Sequence, residues 1–273
     1  MFRNRAFTLI ELLVVLATIS LLMCILMPSL SRGRQQARSA VCKSNLRQLA
    51  IANIGYASEN DGFYVRAAYD MFTGFGGRHR WHGMREAATV HPDPEKNTFD
   101  PRKGPLSAYL ADGKVKKCPQ IVKFVEDGSR NAFEAGCGGY GYNSDGVGSR
   151  SYQYGDGDKA MRSSMRSTEI RRPAEKVMFT DTAFVQGFFR FYVIEYSFCR
   201  PPYIVELDSE GGISERYRWK PSIHFRHLEK TNVAWCDGHI CSEEFAFSTF
   251  SQKLLDEFRI GWFGPENNKL FRP

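Results

Sequence analysis

Apolar residues run almost without a break from Leu9 to Met27, and only Glu11 carries a charge within that run. An apolar helix of ~20 residues has the length that crosses a bilayer. One span is therefore predicted, close to the N-terminus. From Ser31 to Glu59 the pattern loosens. Ala37, Ala40, Val41, Leu46, Leu49, Ala50 and Ile54 recur at helix-like spacing. No proline falls in 31–59, and Asn60-Asp61-Gly62 reads as a helix stop and turn. The two stretches predict one helix from Phe7 to Glu59, on the order of 80 Å long at ~1.5 Å per residue.

Beyond Gly62 the chain turns to glycine, aromatics and short apolar runs. Gly104 to Leu110 reads as a short helix start. Lys176 to Thr180 and Phe189 to Tyr196 read as strands, being rich in β-branched and aromatic residues. The glycine-rich stretch from Gly136 to Gly157 reads as loop. Thr231 to Cys241 predicts a hairpin turning at Asp237-Gly238. With a two-residue turn, Cys236 faces His239 and Trp235 faces Ile240. There is no internal repeat.

The chain has 273 residues, which suits an anchor plus one body. Its mean hydropathy is negative, so a multi-span membrane protein is excluded. The net charge of +7 is scattered, with no arginine-rich block interleaved with aromatics. No nucleic-acid partner is expected.

Two features of the N-terminus are unusual. A secretory signal is cut after its apolar region, behind small residues. Here that region ends in Met27-Pro28-Ser29-Leu30, and the small residue, Ala6, lies before it, behind a leader holding Arg3 and Arg5. Glu11 is the second. A carboxylate in a membrane helix costs ~2.5 kcal/mol or more near the bilayer centre and less toward its edge.

Ala6-Phe7-Thr8-Leu9-Ile10-Glu11 resembles the signal of type IV prepilins and type II secretion pseudopilins. The resemblance implies cleavage between Ala6 and Phe7 by a prepilin peptidase, followed by N-methylation of Phe7. It implies that Glu11 pairs with the N-terminal amine of a neighbouring subunit. The family usually has Gly before the cut, where this chain has Ala6. Pro28 falls where family pilins often carry a helix-bending proline. A second resemblance lies near the C-terminus, to pilin-like proteins with a His-x9-Asp-Gly signature: His227 precedes Asp237-Gly238 at that spacing. Cys42 with Asn45-Leu46, Cys118-Pro119 and Tyr140-Gly141-Tyr142-Asn143 fit the same group.

The implied fold is α+β, a long transmembrane-plus-stalk helix packed on an antiparallel β-sheet body. The implied organisation is a leader over 1–6, a membrane helix over 7–30, a stalk over 31–60 and a body over 61–273. The implied role is a structural subunit of a type IV pilus-like or type II secretion-like filament, not an enzyme. Its partners are then the peptidase, other pilin-like subunits and inner-membrane lipid, with the N-terminus cytoplasmic and the body extracytoplasmic. Arg32, Arg34, Arg38, Lys43 and Arg47 outnumber Arg3 and Arg5, so a charge count alone favours the opposite orientation. The peptidase motif takes precedence over that count.

Other chemistry is sparse. Cys24 lies in the apolar run, and the remaining six cysteines allow ~15 pairings. Cys42 paired with Cys118 would tie the helix to the body, and Cys137 is a competing partner. His224, His227, Cys236, Asp237, His239 and Cys241 gather in sequence, but without a zinc-finger or zincin spacing. The expectation is that Asp237-Gly238 makes a turn and that His227 bonds it. Gly155-Asp156-Gly157-Asp158 lacks an EF-hand pattern and reads as a solvated turn. There is no Gly-x-Ser-x-Gly elbow, and Gly74 to Gly77 lacks a phosphate-binding lysine. No metal or cofactor is expected. The alternative function is a membrane-tethered binding or hydrolytic domain. Trp81, Tyr140, Tyr142, Tyr152, Tyr154, Trp219 and Trp262 would line its polysaccharide-binding face.

Overall fold

The apolar run and the looser stretch after it form one helix, α1 (Leu9–Glu59). The computed structural model describes residues 9–72, 76–86, 98–120, 134–187, 191–208, 212–218 and 220–273. The helix continues through Pro28, although proline removes one backbone donor. It stops where the sequence says it should. Asp61 and Gly62 take left-handed conformations, with φ of 51° and 80°. The Gly62 N–H then donates to the Ala57 carbonyl at 2.9 Å and closes the helix end.

The two halves of α1 have different surroundings. Residues 9–34 are exposed along their whole length. From Cys42 onward one face is buried, through Leu46, Leu49, Ala50 and Ala57. Val41, placed on the apolar stripe from sequence, is 51% exposed. The seat is rotated because two polar residues, Asn45 and Asn53, lie on the buried face. Asn45 donates to the Tyr140 hydroxyl at 3.1 Å and Asn53 to the Tyr142 hydroxyl at 3.1 Å.

The strands of the body are β1 (His79–Arg80), β2 (Gly83–Met84), β3 (Tyr140–Tyr142), β4 (Val177–Asp181), β5 (Phe184–Gln186) and β6 (Tyr192–Ile194). They continue with β7 (Tyr203–Leu207), β8 (Ile213–Tyr217), β9 (Ile223–His224), β10 (Lys230–Trp235), β11 (Ile240–Glu244) and β12 (Ile260–Gly261). The central sheet is antiparallel, in the order β11-β10-β4-β3. Pairs β1–β2, β5–β6, β7–β8 and β9–β12 surround it.

Alternation along β10, together with a register shift opposite Val177 to Phe179 in β4, separates two cores. Tyr140, Tyr142, Phe179 and Ala234 pack with the seated face of α1. Val177, Val233 and Trp235 pack on the other side with Phe225, Trp262, Phe263 and Phe271. The Tyr142 hydroxyl also donates to the Val65 carbonyl at 3.0 Å. Tyr142→Phe removes both bonds at a buried site. It is expected to cost ~1–3 kcal/mol, read from the urea midpoint, while Tyr154→Phe on the rim leaves the midpoint unchanged.

Some expectations shift. The strand expected at Lys176 to Thr180 is β4. Within Phe189 to Tyr196 the described residues form β6, and residues 188–190 lie outside the described residues. Gly104 to Leu110 contains a single tight turn, Ser107–Tyr109. The glycine-rich stretch from Gly136 is not open loop: it contains β3, and residues 140–149 are almost all buried. A side chain at Gly141 would meet Thr182 and the Phe198 backbone, so glycine allows the close approach there.

The β10–β11 hairpin forms, one residue out of the expected register. Ala234 pairs with Ile240 and Val233 with Cys241. Trp235 therefore stacks on His239, with ring centroids 5.6 Å apart. The loop is three residues long and ends at Gly238, whose φ is 90°. Cys236 leaves the hairpin, and its N–H donates to the Lys176 carbonyl at 2.9 Å.

Candidate functional site

Among the described residues, two regions are candidates for function. The first is the uncovered half of α1. It is long and apolar enough to cross a membrane, and none of it is buried by the body. Glu11 lies in its first turn. Ala6 and Phe7 lie outside the described residues.

The second region is a buried meeting point of four side chains. Cys42 comes from the seated half of α1. Cys118 comes from the segment before Gly138, whose carbonyl accepts the Cys118 N–H at 3.0 Å. Asp181 ends β4. His227 opens a tight turn before β10, where Leu228 and Glu229 take φ of 53° and 65°. His227 and Lys230 close that turn with backbone bonds of 3.0 and 3.1 Å.

The Cys42 thiol donates to Asp181 Oδ1 at 3.0 Å. His227 Nε2 lies 3.4 Å from Asp181 Oδ2 and 3.4 Å from Cys118 Sγ. All four donor atoms fall within 4.8 Å of one another, and all four residues are buried. The Asn232 N–H donates to Asp181 Oδ2 at 2.8 Å and holds that carboxylate in place. Arg226 brings a buried guanidinium to 3.9 Å from Asp181 Oδ1. It also donates to the carbonyls of Gly139 and Thr182, at 2.9 and 2.6 Å.

Electrostatics at this point depart from those of a plain core. Burial raises the Asp181 carboxyl, but His227 and Arg226 outweigh it and hold the group below the ordinary aspartate range. Burial opposes charge on His227, yet its bonds to Asp181 and Cys118 push it up to about 9. The neighbouring Cys42 thiol, and then His227, pull the Cys118 thiol down to about 5, against burial. Cys42 is raised well above an ordinary thiol, first by burial and then by Cys118 and Asp181.

The other sequence candidates do not gather. His227 reaches Asp181, not Asp237, because its turn directs it toward α1. Asp237 instead binds the exposed His239 side chain at 2.6 Å, and Gly238 supplies the left-handed turn residue. Cys241 bonds Glu243 at 3.0 Å, and His224 is buried in β9. Asp158 pairs with Arg162 at 2.7 Å and Asp156 with Arg200 at 3.4 Å, so these aspartates are engaged by arginines. Cys42 and Cys118 do meet, as free thiols. Trp81, Tyr140, Tyr142 and Trp262 are buried and build no surface, Tyr152 and Tyr154 are half-buried, and Trp219 lies outside the described residues. Asp181 is not marked by any motif in the sequence. Its only signal there is an acid ending the apolar run Val177-Met178-Phe179.

A membrane-length N-terminal helix, seated by its second half on an antiparallel sheet, is an architecture of the pilin-like α+β kind. The chain is 38% identical over 61 residues to the type IV major pilin protein PilA of Myxococcus xanthus (strain DK1622). That match spans 22% of this chain and 28% of that pilin. No family model matches the chain, and no solved structure matches it.

Proposed function

We propose that the chain is a structural subunit of a type IV pilus-like or type II secretion-like filament, anchored in the inner membrane with its body outside. The observation that carries this reading is the uncovered half of α1. A helix with Leu9, Leu13, Leu22, Ile25 and Met27 all exposed needs lipid or neighbouring helices around it. Burying each such side chain is worth ~1.5–3 kcal/mol. Lipid supplies that environment before assembly, and the helices of other subunits supply it afterwards. The partial likeness to a pilin supports the same reading.

In this scheme a prepilin peptidase cuts between Ala6 and Phe7, and Phe7 is N-methylated. Glu11 then meets the new amine of a neighbour in a setting where either charge alone is costly. No catalytic role follows for the body.

The test is intact mass and N-terminal sequencing of the protein made beside an active prepilin peptidase. The expected product begins at methylated Phe7. A chain that still begins at Met1 under those conditions would sink the prepilin reading and leave a plain signal anchor.

A further inference from the structure

We propose that Cys42, Cys118, Asp181 and His227 form a structural binding site for a divalent metal ion of the zinc class, which fastens α1 to the body. The inference rests on the geometry of the body and holds whether or not the chain assembles into a filament.

Four separate segments deliver these residues: α1, the 114–119 stretch, the end of β4 and the turn before β10. Their donor atoms are two sulfurs, one imidazole nitrogen and carboxylate oxygen, all within 4.8 Å. Zinc in a structural site takes four ligands of these kinds in a tetrahedron. Bond lengths of ~2.0–2.3 Å then put donor atoms about 3.3–3.8 Å apart. The His227 nitrogen sits 3.4 Å from both Cys118 Sγ and Asp181 Oδ2, within that interval. The Cys42 to Asp181 distance of 3.0 Å is slightly shorter, as a direct hydrogen bond requires. Replacing that proton by a metal ion moves this pair apart by a few tenths of an ångström and draws the wider pairs, up to 4.8 Å apart, inward.

Charge points the same way. Two thiolates and a carboxylate carry three negative charges, and a divalent cation leaves one. Arg226, buried beside Asp181, supplies the positive charge that balances it. Metal binding would release the thiol protons. The carboxylate is already oriented by the Asn232 N–H, the kind of outer contact that fixes a ligand for a metal. Soft sulfur with imidazole selects zinc over calcium or magnesium, which take oxygen cages.

The competing use of the same two sulfurs is a Cys42–Cys118 disulfide, so the experiment separates the two. The full chain is purified in detergent without added oxidant, and bound metals are measured by mass spectrometry. About one zinc per chain is expected. Cobalt(II) exchanged into the site should give visible ligand-field bands and a thiolate-to-cobalt charge-transfer band in the near ultraviolet. Cys118→Ser and His227→Ala should lose the bound metal and that charge-transfer intensity. Cys236→Ser, a buried cysteine outside the cluster, should keep both. If a ligand variant does not fold, the wild-type cobalt spectrum and a fall in Tm on chelation still decide the question. The proposal is overturned if the reduced chain, offered zinc or cobalt, holds no stoichiometric metal. It is equally overturned if mapping without reduction recovers a Cys42–Cys118 disulfide as the native state.

Discussion

Glu134→Leu is expected to destabilise the body by ~3–5 kcal/mol, the cost of leaving one buried charge without its partner. Arg80 and Glu134 are each about 1% exposed. Arg80 Nη2 donates to Glu134 Oε1 at 2.6 Å, and its Nε lies 3.0 Å from both carboxylate oxygens. Ser197 donates to the same carboxylate from the other side. The guanidinium lies 5.0 Å from the Phe99 ring and 5.6 Å from that of Phe198, so apolar rings flank the charge. The double change Arg80→Met with Glu134→Leu removes both charges and should recover most of the loss. Urea unfolding of the single and double variants measures this. A single variant within about 0.5 kcal/mol of the parent, the range of ordinary surface changes, would show that the pair is hydrated or otherwise balanced.

The second large effect concerns assembly. Glu11→Ala should leave leader removal intact but strip the chain from filaments. The change removes the partner that the proposed pairing gives to a buried amine. Removing one partner of a buried pair costs ~3–5 kcal/mol, which exceeds the 1.4 kcal/mol that corresponds to a tenfold change. Filaments sheared from cells should therefore contain more than about tenfold less of this variant, at equal amounts in the membrane fraction. Recovery equal to the parent would show that register is set elsewhere along α1, and the amine pairing would be discarded.

The sequence shows some parts of this protein and hides others, for reasons that can be named. α1 is legible because its signals are local: an apolar run of membrane length, a periodic stretch, and Asn60-Asp61-Gly62 at its end. β4 is legible as a short apolar run. The hairpin is legible, but its register depends on whether Gly238 is the second residue of a two-residue turn or the last of a three-residue one. Asp-Gly suits both. The buried cluster was hidden because its members are separated by tens of residues, and short-spacing patterns do not reach across a sheet. His227 illustrates this. Its neighbour in sequence, Asp237, looks like its partner, but the turn at Leu228 and Glu229 sends it to Asp181. The tyrosines of the Tyr140-Gly141-Tyr142-Asn143 stretch hold Asn45 and Asn53 of α1, a role that no reading of the stretch in isolation contains.

α1 belongs to two structures at once, since one uninterrupted helix supplies both the uncovered apolar rod and the floor of the body's core. A pull on the apolar end is therefore directed along the axis of the same helix that fills the core. Such a pull loads the seat from Cys42 to Ala57 in shear, so its contacts must yield together. A helix lifted sideways would instead peel away one turn at a time. The Asn45–Tyr140 and Asn53–Tyr142 bonds lie about two helical turns apart and tie the seat to β3 at two points along its length. A tension applied along α1 would thus reach the body through the core that α1 shares with the central sheet.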